Sequence, residues 1–177
     1  MVDFLCYPLH TDFSLALVNS SNADITIQSS DNVLFRLHRQ NLAVTTGAFP
    51  GSEFVSTPEE VVHLTEPAKV LEVVFQFVYP RRDMVMLEDI DFKTLLAIAE
   101  AMEKYEVFLG IKTCTEQLSK FLPSHPTEVI AHAVKHDLVQ LIDEAALLLA
   151  RSPLLETLRI LPPHCIFPWV RCRKGII

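Results

Sequence analysis

Glycine is scarce: four in 177 residues, at Gly47, Gly51, Gly110 and Gly175. Glycines so few and so far apart cannot build a phosphate-cradling loop, which needs several within a few positions. Cysteine is equally sparse. Cys6, Cys114, Cys165 and Cys172 form no CxxC pair and no dense framework, so a disulfide-stapled secreted domain is not expected. Basic residues form no stripe. The net charge is −7 and the one cluster of Lys and Arg is Arg171-Cys172-Arg173-Lys174, so no nucleic-acid partner is expected. No apolar run approaches the roughly 20 residues of a membrane helix, and no membrane association is expected. The first residues, Met1 to Pro8, lack a basic leader and carry Asp3, so they do not read as a signal peptide. These absences together point to a soluble protein of a reducing compartment, cytoplasmic or nuclear.

What is present is apolar and periodic. Half of the residues are hydrophobic and 21% are charged, which suits one domain, or one domain with an appendage, burying roughly two thirds of its surface. The organising stretch is 33–38. It alternates, with Val33, Phe35 and Leu37 on one face and Leu34, Arg36 and His38 on the other, the period of a half-buried strand. From Arg39 the alternation stops, and Leu42, Ala43 and Phe49 fit helical spacing until Pro50-Gly51 ends the run.

Upstream, 24–28 alternates and is rich in β-branched residues, so it reads as a strand. Ser29-Ser30-Asp31-Asn32 supplies turn chemistry between the two. Val61-Val62-His63-Leu64 is a third strand candidate, after the polar loop 56–60. Pro67 opens a helix that Pro80 closes, and its missing N–H costs nothing in a first turn. Further helices are expected after Asp91 and over 109–122, 128–136, 138–151 and 154–161, before Pro162-Pro163. Strands that cluster before residue 65 and helices that dominate after it predict an α+β fold. Residues 1–22 read as an N-terminal arm, 23–122 as the main domain and 123–177 as a C-terminal helical extension. A weak internal repeat relates Lys104-Tyr105-Glu106-Val107 to Lys135-His136-Asp137-Leu138, with Ile111/Ile142 and Leu118/Leu149 in matching places. Two copies are too few for a solenoid, and the reading is a second helical hairpin extending one core.

Candidate chemistry is thin. His132 and His136 stand at i and i+4, a spacing compatible with a metal. A zinc-protease helix would need a glutamate beside the first histidine, where Ala133 stands, and no third ligand is evident nearby. A solvated helix face is the expectation and a metal-binding protein the minor alternative. His164-Cys165 has no acidic orienter placed by sequence and reads as packing or loop. Glu59-Glu60 and Glu88-Asp89 lie in polar runs and read as solvated. No catalytic residue, cofactor or resident metal is expected. Phe54, an aromatic among polar loop residues, reads as a core anchor or an interaction residue.

From Asp24 to about Leu122 the chain resembles a BTB/POZ domain. The resemblance is carried by Asp24-Ile25-Thr26-Ile27, Phe35-Arg36-Leu37-His38-Arg39-Gln40-Asn41-Leu42, Gly47-Ala48-Phe49 and Val61-Val62-His63-Leu64. It continues in Phe75-Gln76-Phe77-Val78-Tyr79-Pro80, Leu95-Leu96-Ala97-Ile98-Ala99, Lys104-Tyr105-Glu106-Val107 and Cys114. Tyr79-Pro80 and the tail, with Leu161-Pro162-Pro163 and Trp169-Val170-Arg171, are most similar to the short BTB proteins abundant in fungi. The resemblance implies a three-stranded sheet capped by helical hairpins, with the extra C-terminal helices appended. It implies a protein-interaction module that forms a homodimer and recruits a partner, or alternatively an adaptor on the cullin scaffold of a RING ubiquitin ligase. Asp24 and Arg39 match the charged pair near the dimer groove of corepressor-binding members, which makes a corepressor-like partner a further implication. His38 matches the family's histidine at the strand-to-helix step. The family's cullin-binding members carry a hydrophobic-x-acid motif before the third strand; here the match is Phe54-Val55-Ser56, and Ser56 supplies no carboxylate.

Overall fold

Side chains that bond their own backbone make the first turn. The structure, a computed structural model, describes residues 22–49, 61–79 and 87–173. Strands β1 (Ile25–Gln28) and β2 (Leu34–Leu37) pair antiparallel, with Ile25 opposite Leu37 and Gln28 opposite Leu34. Between them Ser29 Oγ donates to Asp31 Oδ1 (2.6 Å) and accepts the Val33 N–H (2.9 Å). Asn32 takes the left-handed conformation at φ 65°, which Asn tolerates better than most residues. Val33 therefore belongs to the turn. It is exposed, although its place in the alternation predicts an inward side chain, and β2 buries Phe35 and Leu37 alone.

Strand β3 (Val61–His63) joins the other side of β1 in parallel, Val62 opposite Ile27, so the sheet order is β2-β1-β3. Helix α1 (Arg39–Thr45) follows β2 directly and helix α2 (Ala68–Val78) follows β3. Neither N-cap residue, His38 or Pro67, supplies a side-chain cap. The hairpin supplies both. Asp24 Oδ1 accepts the Arg39 N–H (2.7 Å), and Asp31 Oδ1 accepts the Ala68 N–H (2.8 Å). Unpaired N–H groups and the positive end of the helix dipole both favour a carboxylate there. Hydrogen bonds from Ser29 and then Ala68 hold the Asp31 carboxyl below its usual range.

Helix α1 stops short of the end its apolar spacing predicts. Thr46 is extended and forms a bridge with Val107, so Phe49 leaves the helix and stacks on Tyr105 at 4.8 Å between centroids. Pairing with a distant segment outranks local periodicity at this point.

The chain divides into two compact units, one of residues 1–86 with 101–111 and the other of 87–100 with 112–177. In the first, Ile27, Leu37, Leu71, Val74 and Phe75 are fully buried, and the Phe75 ring meets Phe35 edge-on at 5.2 Å. Helices α3 (Phe92–Lys104) and α4 (Phe108–Ser119) each contribute residues to both units. The second unit adds α5 (Pro126–Lys135), α6 (Val139–Arg151), α7 (Leu154–Ile160) and α8 (Pro163–Arg173). Its core includes Leu95, Ile98, Leu118, Val129, Leu141 and Leu149. Helix α8 is a correction to the sequence reading, in which Pro162-Pro163 marks a stop. Pro163 takes the first position of the helix, where proline is well tolerated. The whole is an α+β fold: a small mixed sheet capped by helices, with extra C-terminal helices. No helix among the described residues is long and apolar enough to cross a membrane.

Candidate functional site

The weak sequence repeat is a repeat of backbone geometry. In the first copy the Tyr105 N–H bonds Ala101 O (3.0 Å), the Val107 N–H reaches back to Met102 O (2.9 Å), and the Ile111 N–H bonds Val107 O (2.9 Å). In the second, His136 bonds His132 O (3.1 Å), Leu138 reaches Ala133 O (2.9 Å) and Ile142 bonds Leu138 O (3.0 Å). Glu106 and Asp137, at the same place in each turn, are left-handed at φ 51° and 53°. This is the Schellman ending of a helix, used twice.

Each turn also grips one carboxylate. In the first unit Lys104 Nζ meets Glu66 Oε1 at 2.7 Å, and the Tyr105 hydroxyl donates to Glu66 Oε2. In the second unit Lys135 Nζ meets Glu100 Oε2 at 2.5 Å, and His136 Nε2 lies 3.1 Å from that same oxygen. The second copy has one more member: His132 Nδ1 is 2.7 Å from Glu100 Oε1. A carboxylate only accepts, so the facing nitrogens of both imidazoles carry the protons. Helix α5 and the residue that caps it present the two histidines one turn apart, with ring centroids 4.7 Å apart. Helix α3 supplies Glu100.

The expectation of a solvated face for this pair is corrected by burial. His132 is 4% exposed, and burial, opposed by the Glu100 carboxylate, pushes its imidazole below the usual value. Burial thus favours the neutral form of this ring. Partial burial disfavours the Glu100 anion, but hydrogen bonds from Lys135, His132 and His136 outweigh it and hold the carboxyl at about 2, against an ordinary 4.5. The result is a charged carboxylate facing two imidazoles, one of them buried. Glu100, His132 and His136 offer donor atoms all within 4.8 Å of one another. Sequence spacing finds the two histidines, which are neighbours on one helix. It misses Glu100, which reaches them only through tertiary packing, and Lys135, although its place in the repeat was available as a signal.

The residues singled out by resemblance are placed differently. Asp24, His38 and Arg39 meet at the corner between β2 and α1. Besides capping the helix, Asp24 is reached by Arg39 Nε, 3.4 Å from its carbonyl oxygen. His38 Nδ1 lies 3.0 Å from the Tyr79 hydroxyl, which also accepts the His38 N–H at 3.0 Å, and His38 Nε2 lies 3.1 Å from Asn22 Oδ1. These contacts fix the direction in which the chain leaves the sheet. Phe54, Ser56 and residues 1–21 lie outside the described residues. His164 is exposed on α8 and Cys165 is a half-buried free thiol.

A scan against protein-family models finds no match to this chain, and a search of curated proteins finds none either.

Proposed function

We propose that this chain is a protein-interaction module of the BTB/POZ kind, which pairs with a second copy of itself and recruits a partner protein. The observation that carries the reading is a set of exposed apolar side chains on the first unit, near one backbone bridge. Val44 is 76% exposed and Phe108 and Leu109 are each 62% exposed. The bridge between Thr46 and Val107 sets the end of α1 beside the start of α4, so these side chains flank one junction. The Gly47 N–H donates to Glu106 O (3.1 Å) and holds that junction from the next residue. Leu42, Tyr105 and Val107, in the same segments, are by contrast buried. Covering a large apolar side chain is worth about 1.5–3 kcal/mol, and neighbouring exposed ones are a common mark of an interaction surface. The mixed sheet followed by helical hairpins, and the order of motifs from Asp24 to Cys114, support a second copy as the occupant.

The test is solution mass by light scattering over a concentration series, for the parent and for Val44→Glu with Phe108→Glu. Both sites are exposed, so the variant is expected to fold. A parent dimer that the double variant turns into a monomer is the expected result. A parent that stays monomeric at every concentration, or a dimer indifferent to the two glutamates, would count against the reading. Adding a purified cullin N-terminal region in a second run separates the adaptor alternative, in which a complex forms even though Ser56 supplies no acid.

A further inference from the structure

The two copies of the helical turn differ in a way that packing does not require. Both hold a glutamate with a lysine, Lys104 on Glu66 and Lys135 on Glu100. At the two positions where the second copy has His132 and His136, the first has Ala101 and Tyr105. Neither alanine nor a tyrosine whose hydroxyl burial and Glu66 keep protonated offers a ready metal donor. The second copy has an imidazole at both.

We infer that Glu100, His132 and His136 form a binding site for a divalent transition-metal ion of the zinc class. Two imidazole nitrogens and one carboxylate oxygen make a three-ligand set typical of zinc, with a fourth position left for water or an outside donor. Magnesium and calcium favour all-oxygen sets, so they fit less well. The donor atoms lie within 4.8 Å of one another, while two ligands on a tetrahedral zinc sit roughly 3.4 Å apart. Closing on an ion therefore needs only rotation of the side chains. Lys135 stands where the ion's charge would act, and its side chain is 62% exposed, so it is free to swing into water. The proton on each nitrogen facing Glu100 moves to the opposite ring nitrogen, which turns a lone pair toward the ion. The bound ion would pin α3 to α5 inside the second unit. This inference does not depend on the interaction reading.

The experiment is calorimetric titration of the metal-free full chain with zinc chloride, followed by melting curves with and without zinc. His136 and Glu100 are partly exposed, so His136→Ala and Glu100→Gln are better probes than any change at buried His132. One equivalent of zinc should bind and raise the melting temperature. Each variant should lose at least about tenfold in affinity, since even an outer partner of a metal ligand is worth that much. Lys135→Met, which removes the competing cation, should bind zinc more tightly than the parent. Absence of heat and of any melting shift with zinc in excess would overturn the site. So would zinc affinity unchanged in either His136→Ala or Glu100→Gln, because the ion would then be held elsewhere.

Discussion

Lys104–Val107 and Lys135–Leu138 share a backbone, a left-handed residue and a lysine on a glutamate, yet they use that frame for different ends. In the first, Tyr105 is 5% exposed, stacks on Phe49 and closes a hydrogen bond to Glu66. Burial and then Glu66 push its hydroxyl above the usual value, so it stays a neutral donor throughout the working range of the protein. That turn is a structural lock. In the second, the matching residue is a histidine that keeps some access to water, and a second imidazole lies beneath it. The same geometry therefore holds a rigid packing residue in one copy and ionisable, metal-competent groups in the other. Backbone form and chemical role are separable, and the side chains at two positions decide between them.

Breaking the lock should have the largest effect. Tyr105→Ala removes a buried aromatic ring, which typically costs about 3–5 kcal/mol, whereas His136→Ala at the matching position should cost markedly less. Urea denaturation of the two variants measures the gap. Equal losses would mean that both turns are structural locks.

A smaller effect is expected where the copies exchange volume. In the first copy Met102 is paired with Gly110; the matching residues in the second are Ala133 and Leu141. All four are buried, and a side chain at Gly110 would run into the Met102 thioether. Gly110→Leu should destabilise by roughly 1–3 kcal/mol through overpacking. Adding Met102→Ala should restore part of that, since residues in contact couple. Stability of the double variant at or below that of Gly110→Leu alone would show that the two positions do not compensate.

The smallest effect is the acid response. Glu66 and Glu100 are both held below the ordinary 4.5 in the folded chain, Glu100 at about 2. For each, the folded state binds fewer protons than the unfolded one, so the stabilisation is complete above about pH 4.5 and fades as the pH falls toward the lowered value. In metal-free buffer Glu100→Gln should flatten the decline of melting temperature between those limits. An unchanged decline would mean that solvent already screens the cluster.

The sheet and most helices were legible because alternation and helical spacing write burial into sequence. Phe35 and Leu37 are inward as their period requires, and Val70, Leu71, Val74, Phe77 and Val78, which keep helical spacing in α2, are all buried, together with Phe75. Errors came where a single distant contact decided the matter. Thr46 pairs with Val107 and cuts α1 short; Ser29 captures the Val33 N–H and takes that residue out of the strand. The site was half legible for the same reason. His132 and His136 are adjacent on one helix face, but Glu100 lies 32 residues before His132, and no periodicity reports on such a pair. The repeat pairs His132 with Ala101, which is also buried, although Ala101 lies off the stripe that helical spacing assigns to α3.

The carboxylates that the hairpin lends to α1 and α2 have a consequence for how the first unit folds. Side chains alternate along a strand, so a slip of β1 by one residue would turn Ile25 and Ile27 outward. The same slip would withdraw Asp24 from the Arg39 N–H and strip α1 of its cap, and a misformed turn would do likewise to α2 through Asp31. An error in pairing is thus felt at once in two helices that do not belong to the sheet. Partly correct arrangements are penalised several times over, which favours all-or-none assembly of this unit and makes register in the hairpin self-checking.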